Sequence, residues 1–312
     1  MGGGCLPAKQ ANSDEARHPA WLVDASIYIY RGWHLFPNTL TGRDGHPVNA
    51  VIGFLDFVSQ LAEHGCPNEV AFAFDAEQSK GFRKEIYPHY KANRKPTPQE
   101  LKRQFTICRE FVRALGMIEC AHSRYEGDDI IGTWSKGLQA RDQPLVIITA
   151  DKDLAQLIGA QDLWWDFAGG KKLDARKIKG KYGVRPGQIA DQLAIMGDKT
   201  DNIPGVQGIG RVMSAKLLHY FNDLENLLST PDRIGKLKLR GARQLQKLIE
   251  ENTTQILLSR RLTGLFCDIN EPGFPHRLTR RQPDVDELNR LCDFLQLGPG
   301  ASERWIRLFS FN

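Results

Sequence analysis

The sequence predicts an α/β fold: a mostly parallel central sheet flanked by helices, followed by a helical unit. Three observations carry this. Strand-length apolar runs alternate with stretches of helical periodicity through the first half of the chain. Several of those runs, WLVDAS, VAFAFDAE and LVIITADKD, end in acids where a strand would meet a loop. After Arg185 the pattern changes to basic helices around a glycine-rich hairpin.

Taken in order, residues 1–20 lack a hydrophobic stretch and read as a disordered leader, not a secretory signal. WLVDAS is a short strand. A loop with Tyr30, Arg31 and Trp33 follows, and residues 47–64 carry Val48, Val51, Ile52, Leu55, Val58, Leu61 and Ala62 on a helical stripe. Residues 69–74 form a buried strand ending at Asp75. The next helix spans 98–115, with Thr97 as N-cap, Pro98 at the first helical position and Glu100 three after the cap. A strand over 117–121, a helix from Gly127, a strand over 145–150, a short helix and a strand over 163–167 complete the alternation. Right-handed crossovers then put the strand ends on one edge, where ligands of such sheets bind. Residues 21–185 are expected to form this core, and 186–312 a helical unit with its hairpin at 203–219.

Composition narrows the function. Hydrophobic residues make up 41% and charged ones 25% of 312 residues, so a globular chain is expected, neither membrane-spanning nor disordered. Six cysteines show no CxxC spacing, and reduced thiols in a cytoplasmic protein are the expectation. No P-loop, GxGxxG or GxSxG motif is present, so no nucleotide cofactor is expected. Between Lys80 and Arg103 lie eight cations against Glu85 and Glu100. Alone, such a run is a solvated loop, but Phe82, Tyr87 and Tyr90 interleave with the cations, as suits stacking on bases and contact with phosphates. Residues 171–185 are a second basic stretch.

The chemistry centres on SRYEGDDIIGTW, where Glu126, Asp128 and Asp129 crowd a helix start. A charged first turn favoured by the macrodipole is the bland explanation. It weakens beside Asp24, Asp75, Asp151, Asp153, Asp198 and Asp201, which give nine carboxylates in five segments able to meet at one edge. Unpaired they would repel, and an oxygen-only set with no His or Cys suits Mg²⁺ or Mn²⁺. Two such ions about 3.5 to 4 Å apart can hydrolyse a phosphodiester.

FDAEQSKGFRKEIYPHYKANRKP, EGDDIIGTW, TADKDLAQLI and GDKTDNIPGVQGIGRVMSAKLL closely resemble the bacterial 5′ nuclease family, meaning the 5′ to 3′ exonuclease domain of DNA polymerase I and stand-alone flap endonucleases. The likeness runs from Trp21 to at least Tyr220. It implies a PIN-like nuclease core in which Asp24, Asp75, Glu126 and Asp128 hold one ion, Asp151, Asp153 and Asp201 the second, and Asp129 and Asp198 act as outer ligands. Asp24 and Asp151 are thereby also expected to be catalytic. The family further implies a helical arch, here residues 80–115, for a single-stranded 5′ end. Lys91 would stabilise charge on the attacked phosphate, Arg94 would clamp it, and Tyr90 would stack on a base or pack.

Lys95 beside Arg94, and Lys216 in the second hairpin helix, join the expected DNA contacts. Gly205, Gly208 and Gly210 look like a helix-hairpin-helix that grips duplex backbone, with K⁺ as a further ion there. The implied partner is DNA with a 5′ flap or free 5′ end, met by a cytoplasmic, nucleoid-associated monomer. The leader before Trp21 is longer than the family's, and GWHLFPN departs from its commoner patterns. With no polymerase domain before Asn312, gap filling is expected from a separate protein. Two competing readings are a non-catalytic junction-binding protein of the same fold and an RNA-directed nuclease.

Overall fold

Alternate side chains of the central strands point to opposite faces of one sheet, and each face has its own core. A computed structural model describes residues 18–76 and 81–310; most of the expected leader, with Cys5 and Lys80, lies outside them. The elements are β1 (Ala20–Asp24), α1 (Ala25–Leu35), α2 (Asn49–Ala62), β2 (Val70–Asp75), α3 (Phe82–Ile86), α4 (Gln99–Ala114), β3 (Ile118–His122), α5 (Gly127–Gln139), β4 (Leu145–Ile148), β5 (Leu163–Asp166) and β6 (Lys171–Leu173). There follow α6 (Ala175–Tyr182), α7 (Ile189–Met196), α8 (Arg211–Phe221), α9 (Leu224–Ser229), α10 (Ala242–Glu251), α11 (Thr253–Thr263), α12 (Val285–Phe294) and α13 (Ala301–Phe309).

The strand order is β3-β2-β1-β4-β5-β6, with the first five parallel and β6 antiparallel to β5. Trp21, Val23, Phe72, Phe74 and Ile148 face the core shared with α1, α2 and α4. Ala20, Leu22, Ala71, Ala73 and Ile147 face α5 and the helical unit. Chain order reverses between β1 and β4, and this opens the crevice at their carboxyl ends.

Residues 25–35, expected as a loop, form α1. Ile27, Tyr28 and Ile29 are weak helix formers, but packing on α2 overrides propensity. The two helices cross at Gly32 and Gly53, where a Cβ on Gly32 would stand 2.8 Å from the Ala50 carbonyl oxygen. Thr97 does not cap α4. Pro98 occupies that position without a side-chain bond, and the Thr97 hydroxyl pairs with Tyr30 at 3.0 Å.

The expected arch, 80–115, divides in two: α4 buries Leu101, Ile107 and Phe111 in the core, and only 81–98 crosses the acidic edge. Strand β6 and helix α6 fall in the stretch read only as basic. Helices α12 and α13, grouped by sequence with the helical unit, lie with α2 and α4 on the other face of the sheet.

Gln104, fully buried on α4, locks two helix ends together. Its side-chain oxygen accepts from Ala50 N at 2.7 Å and Val51 N at 3.2 Å, capping α2, while its amide donates to Asn49 Oδ1 at 3.2 Å. Asn49 donates in turn to the Trp33 and Phe36 carbonyls that end α1. Gln104→Leu keeps the volume and orphans these groups, so chemical denaturation should show a loss of about 1–3 kcal/mol. An unchanged midpoint would mean that the network contributes nothing.

Candidate active site

Parallel strands deliver their last residues to one edge, so Asp24 at the end of β1 and Asp75 at the end of β2 lie side by side. The turn after β4 adds Asp151 and Asp153. Thr149 organises this corner: its hydroxyl donates to Asp24 Oδ2 at 2.8 Å and accepts from Asp151 N at 2.8 Å. Asp151 Oδ1 then accepts from Asp153 N at 2.8 Å. Ser26 accepts from Asp75 N, and Asp75 Oδ1 accepts from Gly127 N at 2.9 Å, at the positive end of α5.

At the start of α5 the three acids part company. Glu126 faces the cluster, accepting from Lys91 Nζ at 2.8 Å and the Tyr90 hydroxyl at 3.0 Å. Asp128 is half-buried there, and after burial itself the charges of Asp151, Asp24 and Asp75 raise its carboxyl. Asp129 turns inward and is fully buried. Its two oxygens accept from Arg83 NH1 and NH2 at 2.7 Å each, from Phe266 N at 2.9 Å and from Glu126 N at 3.0 Å. All four lone-pair positions are used, so Asp129 is a structural anchor and not an outer metal ligand.

Asp201 receives Arg94 at 2.5 Å and Tyr90 at 3.2 Å, with Lys91 Nζ 3.8 Å away. Lys91 sits at φ 53°, a strained conformation for a side chain of its kind, and its backbone N–H donates to the Asp201 carbonyl at 3.0 Å. Asp198 pairs with Lys152 at 2.5 Å and accepts from Thr200 N at 2.7 Å.

The Tyr90 ring is not a stacking surface. It is 4% exposed and packs with Ile203 and Leu262, and burial followed by Glu126 raises its hydroxyl well above the ordinary value. Lys95 stands exposed beside Arg94.

Gly205 also departs from expectation. A Cβ there would overlap the Met196 carbonyl and Gly197 nitrogen, so this glycine serves the close approach of the hairpin to α7 and not a ligand. Gly208, at φ 89°, and Gly210, which caps α8, have open space around them. Lys216 is exposed on α8.

The charges are unevenly compensated. Burial pushes the Glu126 carboxyl up, but Lys91 and Arg83 outweigh it and hold the group below its ordinary value. Burial likewise opposes ionisation of Asp198, and Lys152 reverses it. On the inner side the cations offset this only in part: Lys91 pulls Asp128 and Asp151 down and Lys152 pulls Asp151 and Asp153 down, yet all three stay raised. Burial and Asp75 push Asp24 up to about 7, burial and Asp151 push Asp153 up to about 7, and burial also raises Asp151. Asp128 is driven well above the carboxylate range by burial and then by Asp151, Asp24 and Asp75.

As they stand, no three of the described carboxylates, imidazoles or thiolates enclose a common ion position. Their chemistry nevertheless fits a hard divalent cation. The donors are all oxygen, burial and mutual repulsion hold Asp24, Asp128, Asp151 and Asp153 above the usual carboxylate range, which a cation would relieve, and Asp153 Oδ1 is buried without a partner.

Arg83 escaped the sequence reading, where it was one cation of a run. It is 3% exposed, and besides Asp129 it donates to the Leu262 and Gly264 carbonyls at 3.0 Å each. It thereby ties α3 to α5 and to the end of α11. Thr149 and Ser26 were also missed; a hydroxyl beside an acidic strand end is too common a pattern to single out.

Two family models cover most of the chain: the 5′-3′ exonuclease N-terminal resolvase-like domain matches residues 19–183, and the 5′-3′ exonuclease C-terminal SAM fold matches residues 184–286. The chain belongs to the 5′-3′ exonuclease family. Among its relatives, DNA polymerase I of Pseudomonas aeruginosa is 38% identical over 91% of this chain and 32% of its own length. The 5′-3′ exonuclease of Buchnera aphidicola is 30% identical over 81% of this chain and 88% of its own. The chain thus spans about a third of the polymerase relatives.

The fold is shared with T5 5′-exonuclease solved with zinc (TM-score 0.64, 18% identity, 93% of this chain and 97% of that one). It is shared too with the catalytic core of Rad2 in complex with DNA substrate (TM-score 0.62, 18% identity, 94% and 93%). No helix among the described residues is long and apolar enough to cross a membrane.

The raised inner acids predict an inverted pH response without metal. Folded Asp24 and Asp153 keep protons up to about pH 7 that the unfolded chain releases near its ordinary value, so their contribution falls as pH rises through that window. In EDTA, Asp24→Asn/Asp153→Asn should gain thermal stability over the parent at about pH 8, and that advantage should shrink markedly by about pH 5; Mg²⁺ should restore the parent at the higher pH. A gain that is the same at both pH values would refute the assignment.

Proposed function

We propose that the chain is a metal-dependent, structure-specific 5′ nuclease that hydrolyses DNA phosphodiester bonds at a 5′ flap or free 5′ end, leaving 5′-phosphate and 3′-hydroxyl. The observation that carries this is the inner cluster of half-buried Asp128, Asp151 and Asp153 around buried Asp24, mutually repelling, with Lys91, Arg94 and Lys152 beside it. The names of relatives support it: a 5′-3′ exonuclease from Buchnera, a T5 flap endonuclease variant solved with DNA and metal ions, and the Rad2 core solved with DNA substrate.

Asp24, Asp75, Glu126 and Asp128 would hold one Mg²⁺, and Asp151, Asp153 and Asp201 a second, with Asp198 an outer member beside Lys152. Bound there, the two ions would supply an activated water and neutralise the leaving oxygen. The chain's own residues do the rest. Lys91 and Arg94 lie at the mouth of the acidic cluster, where their charges meet a phosphate entering it and stabilise charge developing on its oxygens. Lys95 extends that positive edge.

The open amides at Gly208 and Gly210, with Lys216 behind them, grip duplex backbone without reading bases, and K⁺ is a candidate ion there. Selection then follows DNA shape. Lys91 lies against Glu126 and Asp201, the carboxylates that ions would engage, so its ammonium would then be available to a phosphate. A cytoplasmic, nucleoid-associated monomer fits this role.

A 5′-labelled flap duplex and a matching nicked duplex, incubated with Mg²⁺ and with EDTA, test the proposal. A Mg²⁺-dependent cut near the junction is expected. Asp151→Asn should abolish it and leave duplex binding intact, and Lys91→Ala should slow it by about 10²-fold or more. Binding without cleavage under Mg²⁺ or Mn²⁺ would favour the junction-binding reading, and preference for an RNA flap would redirect the substrate.

A further inference from the structure

Seven cations lie between Lys171 and Arg185 against a single carboxylate, and the site above uses none of them. That carboxylate, Asp174, is committed to capping α6 through Lys177 N at 2.7 Å. Lys171, Lys172, Arg176, Lys177, Lys179 and Lys181 are all exposed, and none has a carboxylate at ion-pair distance among the described residues. Aromatic rings support two of them instead: Lys172 Nζ lies 3.7 Å from the Trp165 ring centre, and Lys181 Nζ 4.9 Å from those of Trp164 and Tyr182. Such contacts fix the ammonium without neutralising it.

The end of α6 faces α8 across a groove of about 570 Å³. Lys181 and Tyr182 form one wall, and Arg211, Lys216, His219 and Tyr220 the other. Arg211, Ala215 and His219 repeat at four-residue intervals, so the groove follows one face of α8. That face begins at Gly210, the cap of α8, two residues from the open Gly208. At 1.5 Å per residue, the eleven residues of α8 run about 16 Å, the axial length of roughly five base pairs. Leu239 also lines the groove, and its neighbours in the chain, Lys238 and Arg240, are exposed cations.

We propose that the α6–α8 groove is a second phosphate track, which holds the backbone of the same duplex that the hairpin grips and extends its footprint by about half a turn. This rests on the reading of the hairpin as a phosphate grip. Cations on both walls match a continuous row of phosphates, and the exposed ring of Tyr220 and the half-buried ring of Tyr182 offer sugar contacts. The track therefore adds affinity and length dependence without sequence preference.

The test is binding of a blunt two-turn duplex of about 20 base pairs, followed by fluorescence anisotropy across a salt series in EDTA. Lys181→Ala/Arg211→Ala should lower the slope of log K against log salt by about two and weaken binding roughly tenfold. The charge-preserving Lys181→Arg/Arg211→Lys should keep the parental slope, which separates lost phosphate contact from altered folding. An unchanged slope in the alanine variant overturns the track. A slope lost equally on single-stranded DNA of the same length overturns its assignment to duplex. Gly208→Val probes the hairpin separately: if it leaves affinity intact while the alanine variant loses slope, the hairpin reading fails and the groove remains a phosphate site.

Discussion

Carboxylates that repel one another have been gathered at the end of a parallel sheet, and most of the surrounding structure answers that constraint. Parallel pairing leaves no choice about where Asp24, Asp75 and Asp151 go: they follow strand ends, and the strand ends share an edge. The outer acids find cations, Glu126 with Lys91 and Asp198 with Lys152. The inner ones find hydroxyls and amides, and only partial compensation from Lys91 and Lys152. Folding has left a local charge problem that a divalent ion would resolve, and such incompleteness is characteristic of a site built for a ligand.

The second requirement is that the cations be held without filling the crevice. Lys91 and Arg94 come from the 81–98 crossing, which has little regular structure of its own. Arg83 gives that crossing a fixed root. Its five donors are shared among Asp129, Glu126 and the carbonyls of Leu262 and Gly264. One buried guanidinium therefore sets the start of α5, and with it Glu126, in register with the helical unit. Tyr90 performs a related task from the other side, its hydroxyl bridging toward Glu126 and Asp201.

Much of this was legible in the sequence because its causes are local. Apolar runs ending in Asp24, Asp75 and Asp151 announced both the strands and the edge, and the spacing of glycines announced the hairpin. What escaped depended on partners far away in the chain. Nothing within EGDD separates Asp129 from Asp128; the difference is made by Arg83, 46 residues earlier. Gly205 differs from Gly208 only because α7 presses on it. Helix α1 exists because Gly32 meets Gly53, and Tyr90 is buried because Ile203 and Leu262 cover it. Each miss is a tertiary contact overriding a local signal.

The central claim is that the inner acids form an ion centre, and the most direct measurement is X-ray diffraction from crystals soaked in Mn²⁺, with anomalous difference maps. The account predicts Mn²⁺ peaks among Asp24, Asp128, Asp151 and Asp153, with none at Asp129. Anomalous signal confined to the surface, with the four carboxylates unmoved, would contradict it.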